Sequence, residues 1–150
     1  MIKKQIDADL KEAMLGGDKR LVSVLRTLKG VILDAEIAKN AREVGLPEDD
    51  VITLLQKESK KRGEAALLYE QNNDSERAQN ERYEQTVLAE YLPKALDDNE
   101  IAAIIDDVMK TIDTPTMQQM GQIIGAVKAK AGAAADGAVV ARLVKERLEK

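Results

Sequence analysis

Apolar residues return at three- and four-residue intervals along nearly the whole 150-residue chain, and nowhere do they alternate with the period of two that a half-buried strand requires. Ile2, Ile6, Leu10 and Met14 stand at i, i+4, i+8 and i+12, one stripe of a helix. Gly16 and Gly17 end it, because glycine accepts the left-handed conformation of a C-cap. Asp18 is an N-cap for a second helix carrying Leu21, Leu25, Leu28 and Ile32, and the spacing extends that helix to Val44, with Gly45 as its stop. Pro47 suits a helix start, and Glu48, Asp49 and Asp50 suit the positive end of a helix dipole. The third helix then carries Val51, Leu54 and Leu55, and after a polar middle Leu67 and Leu68. Gln71 through Ser75 reads as a loop, and a fourth helix is expected from about Glu76 to Tyr91.

Pro93 closes this block, since proline supplies no amide to continue a helix. Asp97 and Glu100 have the spacing of a capping box ahead of a fifth helix with Ile101, Ile104, Ile105, Val108 and Ile112. Asp113-Thr114-Pro115 is a turn, and a sixth helix is expected from about Thr116 to Lys130, stopped by Gly132. Asp136 caps a seventh, with Val139, Val140, Leu143, Val144 and Leu148 inward. The pattern predicts an all-α protein of two helical subdomains: residues 1–93 with four longer helices, and residues 94–150 as a unit of three shorter ones.

Composition then removes much chemistry. Phe, Trp, Cys and His are all absent, while 38 Leu, Ile and Val side chains supply a core. Without Cys there is no thiol nucleophile or Cys-type zinc site, and without His no imidazole base, no Ser-His-Asp triad and no His-ligated metal. Neighbouring acids such as Asp106-Asp107 diverge by roughly 100° on a helix, so they form no acid–base dyad. The three serines lack a Gly-x-Ser-x-Gly context, and there is no phosphate-binding Gly-Lys-Ser/Thr loop. No catalytic residue, metal site or cofactor is therefore expected. Only Tyr69, Tyr83 and Tyr91 are available to stack on bases. No unbroken apolar run is longer than five residues, as at Ile101 to Ile105, far short of the roughly 20 residues that span a bilayer. With charge returning at once after Met1-Ile2, this reads as a cytoplasmic protein with no membrane partner.

Several pieces, taken in order, carry a resemblance. They are Arg26-Thr27-Leu28-Lys29, Lys57 through Arg62, Tyr91-Leu92-Pro93, Met120-Gly121-Gln122-Ile123-Ile124-Gly125, Gly132 through Gly137, and Leu143-Val144-Lys145-Glu146. In this order and spacing the chain resembles the stand-alone GatB/YqeY-like family along essentially its whole length. The resemblance implies an all-α fold of two helical subdomains. It also implies kinship with the tail of the B subunit of tRNA-dependent amidotransferases, a segment that assists tRNA binding and performs no amide chemistry. A family label of carbon–nitrogen ligase with glutamine as amido-N-donor then describes the larger complex. The implied partners are tRNA or a tRNA-aminoacylation or amidation enzyme. The implied role is a non-catalytic accessory module. The alternative is a helical module that docks on a synthetase or amidotransferase without touching RNA.

Two cation sets are candidates for nucleic-acid contact. From Thr116 to Lys145 the charges are Lys128, Lys130, Arg142 and Lys145 against Asp136 alone, a net +3 inside a chain of net −4. The small side chains between Gly132 and Gly137 would let backbone amides and the next helix N-terminus approach a phosphate. The plainer reading is a tight helix–helix turn with basic residues outside. The secondary set is Lys57, Lys60 and Lys61, with Arg62 beside them and Glu58 among them. It suits either phosphate contact or a solvated face with Glu58–Arg62 and Lys60–Glu64 pairs. Gly121 and Gly125 each cost about 1 kcal/mol against Ala in a helix, so close approach of the seventh helix is expected there. Tyr91 is expected to seal the core edge with its hydroxyl bonded to the chain.

Overall fold

The computed structural model describes residues 1–150. It holds seven α-helices and two single 3-10 turns, with no strand. The helices are α1 (Ile2–Gly16), α2 (Lys19–Ala38), α3 (Glu48–Gln71), α4 (Ser75–Ala89), α5 (Asp98–Met109), α6 (Met120–Ala131) and α7 (Gly137–Leu148). The 3-10 turns are Met117–Gln119 and Gly132–Ala134. The chain divides into two compact units, Met1–Leu92 and Pro93–Lys150. No helix is long and apolar enough to cross a membrane.

In the first unit the helix ends are set by left-handed residues. Gly17 has φ 73°, the amide of Asp18 donates to the Ala13 carbonyl at 3.0 Å, and the Gly17 amide donates to Met14 at 3.3 Å. The same motif stops α2 at Ala38, short of the expected Val44. Asn40 takes φ 53°, the Ala41 amide donates to the Glu36 carbonyl at 2.8 Å, and the Asn40 amide donates to Ile37 at 3.1 Å. Asparagine tolerates this conformation better than any residue but glycine, and it overrides an apolar pattern that continues past it. Asn73, φ 58°, ends α3 in the same way. Asp18 and Asp74 cap the following helices by accepting from the amides of Leu21 and Arg77. The last turn of α4 tightens into i→i−3 bonds at Glu90, Tyr91 and Leu92, because Pro93 disfavours the α conformation in the residue before it.

Helices α1 and α2 are antiparallel, pinned by Lys3–Glu36 at 2.7 Å and Asp7–Lys29 at 2.6 Å. Glu36 is 1% exposed, and the Lys3 ammonium donates to both of its oxygens, which satisfies a carboxylate that burial alone would penalise. Ile6, Leu25, Leu28, Ile32, Leu55 and Leu88 are fully buried from α1, α2, α3 and α4. The Tyr91 hydroxyl donates to Asp9, and its ring packs on this core. Burial and the Asp9 carboxylate push the Tyr91 phenol above its ordinary range.

The α3–α4 hairpin differs in character. Ala66 and Ala78 are buried within it, while Leu67 and Leu68 remain 51% and 59% exposed. Small side chains at the contact let the two helices come close, so the larger leucines turn outward. A Cβ added at Gly63 would stand 2.7 Å from Gln85 Nε2, which donates to the Ser59 carbonyl at 3.0 Å.

In the second unit the fully and nearly fully buried side chains are Ile101, Ile105, Val108, Ile123, Val127, Val140 and Val144, every one β-branched. Such side chains keep one strongly preferred rotamer in a helix, so little side-chain freedom is lost on packing. The capping box at Asp97 and Glu100 is formed in both directions, at 2.8 and 2.9 Å. Asp136 accepts from the amides of Ala138 and Val139. The expected approach of α7 to Gly121 and Gly125 is not observed: nothing lies within 4 Å of a Cβ placed at either residue. The α6 contacts are made by the opposite stripe, Ile123 and Val127.

This contrast has a measurable outcome. Gly121→Ala and Gly125→Ala should each stabilise the protein by about 0.5–1 kcal/mol, the helix propensity gain in open space. Gly63→Ala should gain less or lose stability, because Gln85 must leave its place over Ser59. Urea denaturation followed by circular dichroism checks both, and destabilisation by the α6 substitutions would show a contact at that face.

Candidate nucleic-acid interface

Lys128 and Lys130 lie in the last turn of α6, where cations complement the negative end of the helix dipole. Both are exposed and neither makes an ion pair. The Lys128 ammonium lies over Gly137, the first residue of α7, 3.1 Å from where a Cβ would stand. Between them the chain turns at Gly132, φ 63° and ψ −151°, a region open essentially to glycine alone. The structure therefore brings Lys128, Gly132 and Gly137 to one turn, with Lys130 at its edge. The α7 N-terminus is already served from within, because the Asp136 carboxylate holds the amides of Ala138 and Val139. The Ala134 carbonyl accepts from the Leu96 amide at 2.9 Å, which ties the small-residue turn to the segment ahead of α5.

Arg142 and Lys145 are placed differently. The Arg142 guanidinium is held by Asp98 at 2.8 Å and Glu146 at 3.2 Å, and these hydrogen bonds, Asp98 first, raise its pKa further. Lys145 stands 3.8 Å from Glu149. All of these groups are exposed, so the pairs are worth little in stability and exchange readily for another anion. They nevertheless offset much of the positive field that the segment carries when counted by itself.

In the secondary set, Lys61 is bound to Glu58 at 2.9 Å, while Lys57 and Lys60 are exposed and unpaired. The Glu58–Arg62 pair forms at 3.5 Å, but no Lys60–Glu64 pair does. Glu58 is only 7% exposed, so this pair belongs to the α3–α4 seam. Arg62 crosses that seam to Glu84 at 2.7 Å and to Glu81 at 3.9 Å. One buried oxygen of Glu81, Oε2, has no hydrogen-bond donor. Burial first, and the Glu84 charge second, raise the Glu81 pKa against the lowering pull of Arg62.

A feature that sequence reasoning passed over lies in the first unit. Ala13, Met14 and Gly17 at the end of α1 face Lys19, Val22, Ser23, Arg26 and Thr27 of α2 across a groove of about 570 Å³. Neither Lys19 nor Arg26 makes an ion pair. Each lacks an acidic residue three or four positions away, which is the signal in the sequence that marks it.

No group of three or more Asp or Glu side chains converges in a way that would hold a metal ion. The architecture and these surfaces define an all-helical protein of two units that presents cations on open faces. A family model described as Yqey-like protein matches residues 3–148, and the chain belongs to that family. No curated protein gives a significant match to it.

The α3–α4 seam yields a pH-dependent prediction. A carboxyl whose folded pKa is raised contributes stability that is present below its unfolded pKa, ordinarily about 4.5, and lost as pH rises through the folded value. Glu81→Gln should therefore stabilise the protein at neutral pH by up to about 1 kcal/mol, with the gain vanishing as pH falls below the carboxylate range. Thermal unfolding from about pH 2.5 to pH 7, a span that brackets the ordinary carboxylate pKa values of about 3.9–4.3, reads this directly. A gain that persists undiminished in acid would show that the charge is not its source.

Proposed function

We propose that this protein is a non-catalytic tRNA-binding module, related to the tail of the tRNA-dependent amidotransferase B subunit and acting beside a tRNA-aminoacylation or amidation enzyme in the cytoplasm. The observation that carries the reading is the unpaired Lys128–Lys130 pair at the Gly132–Gly137 turn. That turn is the Gly132–Gly137 piece of the sequence that helps carry the family resemblance. Arg142 and Lys145 join the contact by exchanging carboxylate partners for phosphates. Recognition is by backbone and shape, since no aromatic platform reads bases.

Purified protein should bind unmodified tRNA weakly and with strong salt dependence. Four phosphate contacts give a log–log slope of about −3 to −4, from ~0.9 per phosphate on a duplex and ~0.7 on a single strand. Lys128→Ala with Lys130→Ala should reduce the slope by about 2 without changing helicity. A parent protein that does not bind tRNA even at low salt would overturn the reading.

The same protein supplied with glutamine, ATP and mischarged tRNA should release no ammonia above background, because no nucleophile–base pair is assembled. Turnover by a preparation free of other subunits would contradict the non-catalytic assignment. The exposed Leu67 and Leu68 on α3 favour a second reading, docking on a partner enzyme without RNA. Co-purification with a synthetase or amidotransferase that survives nuclease treatment would support it.

A further inference from the structure

We propose that the α1–α2 groove is a second surface for the phosphodiester backbone of structured RNA. The inference rests on the RNA-binding reading above and extends it to the first unit. Lys19, Ser23 and Arg26 follow one another at i, i+4 and i+7 on a single face of α2 and line the groove. Seven residues of helix span about 10 Å, so two cations with a hydroxyl between them present a row of donors along the groove. Lysine, arginine and serine are side-chain types that contact phosphate oxygens, and guanidinium matches a phosphate with two parallel bonds.

None of these donors is committed elsewhere. Lys19 and Arg26 have no carboxylate partner, and the Ser23 hydroxyl makes no hydrogen bond in the fold. Thr27, on the same wall, donates to the Ser23 carbonyl at 3.1 Å and keeps its lone pairs free. Asp7 on α1 is paired with Lys29 at 2.6 Å, and Asp18, next to Lys19, is engaged in capping α2 through the Leu21 amide.

A second groove of about 440 Å³, which shares Ala13 with the first, includes Asp9, Glu12, Asp18 and Glu90 in its lining. None of these four is in an ion pair. A polyanion is therefore attracted to the Lys19–Arg26 wall and repelled from the adjoining acidic groove, which orients where it docks.

The test is tRNA binding by the full chain across a salt series, with helicity and unfolding midpoint measured on every variant. The groove adds two contacts to the four above, so the parent slope steepens to about −4 to −5, and Lys19→Ala with Arg26→Ala should lower affinity on the order of tenfold at low salt and return the slope to about −3 to −4. Ser23→Asp puts a carboxylate in the row while removing no cation, and it should weaken binding as well. Lys128→Ala with Lys130→Ala serves as the parallel variant. If the parent binds tRNA and both groove variants bind as the parent does, the groove inference is wrong while the RNA-binding reading stands. If the parent does not bind, the RNA-binding reading fails and takes this inference with it.

Discussion

A helix leaves its first amides and last carbonyls without partners inside the helix, and in a chain that is helical almost throughout, the way those groups are satisfied decides where each helix stops. Here the solutions are few and local. Gly17, Asn40 and Asn73 turn left-handed, so that the chain bonds back onto the helix it has just left. Asp18, Asp74, Asp97 and Asp136 each offer a carboxylate oxygen to the amides of the helix that follows. The turns that result are short enough to fold α2 back on α1 and α4 back on α3. The cationic groove exists because Gly17 and Asp18 reverse the chain within two residues, bringing Met14 opposite Val22 and Ser23.

The absence of Phe and Trp limits how large a core any one set of helices can share. The first unit fills its interior with Leu, Val and Ile from four helices, and the second buries Ile and Val without Leu from three. Where apolar volume runs short the contacts become polar. The distal α3–α4 hairpin is held by Ala66, Ala78, the Gln85–Ser59 bond and the Arg62 bridge to Glu84. Glu81 is left with an unserved oxygen in that seam. Glu36 shows the opposite outcome, a nearly inaccessible carboxylate whose two oxygens both meet the Lys3 ammonium.

For binding, the decisive quantity is the number of cations left without a carboxylate neighbour. Counting by segment favours the C-terminal stretch, but Asp98, Glu146 and Glu149 stand beside Arg142 and Lys145. Glu146 and Glu149 are four residues beyond those cations, so their pairing was readable from the helix period. The link to Asp98 was not, because it joins residues 44 positions apart. Among the cations that remain free are Lys128, Lys130, Lys19 and Arg26, none of which has an acid three or four positions away on its helix.

The sequence by itself determined the helical class, most helix boundaries, the capping box at Asp97 and the stop at Gly17. Each of these depends on residues within one or two turns, and local hydrogen bonding settles them. The early end of α2 was also written locally, in Asn40, but a continuing apolar stripe masks it unless the asparagine is read as a left-handed stop. Only the tertiary structure decided which glycine meets a neighbour: Gly63 lies against Gln85, while Gly121 and Gly125 face open space. It likewise turned Leu67 and Leu68 outward and set Lys19 and Arg26 along an open groove. The physical reason is the same in each case. A helix period says which residues share a face, but the packing of one helix on another selects which face is covered.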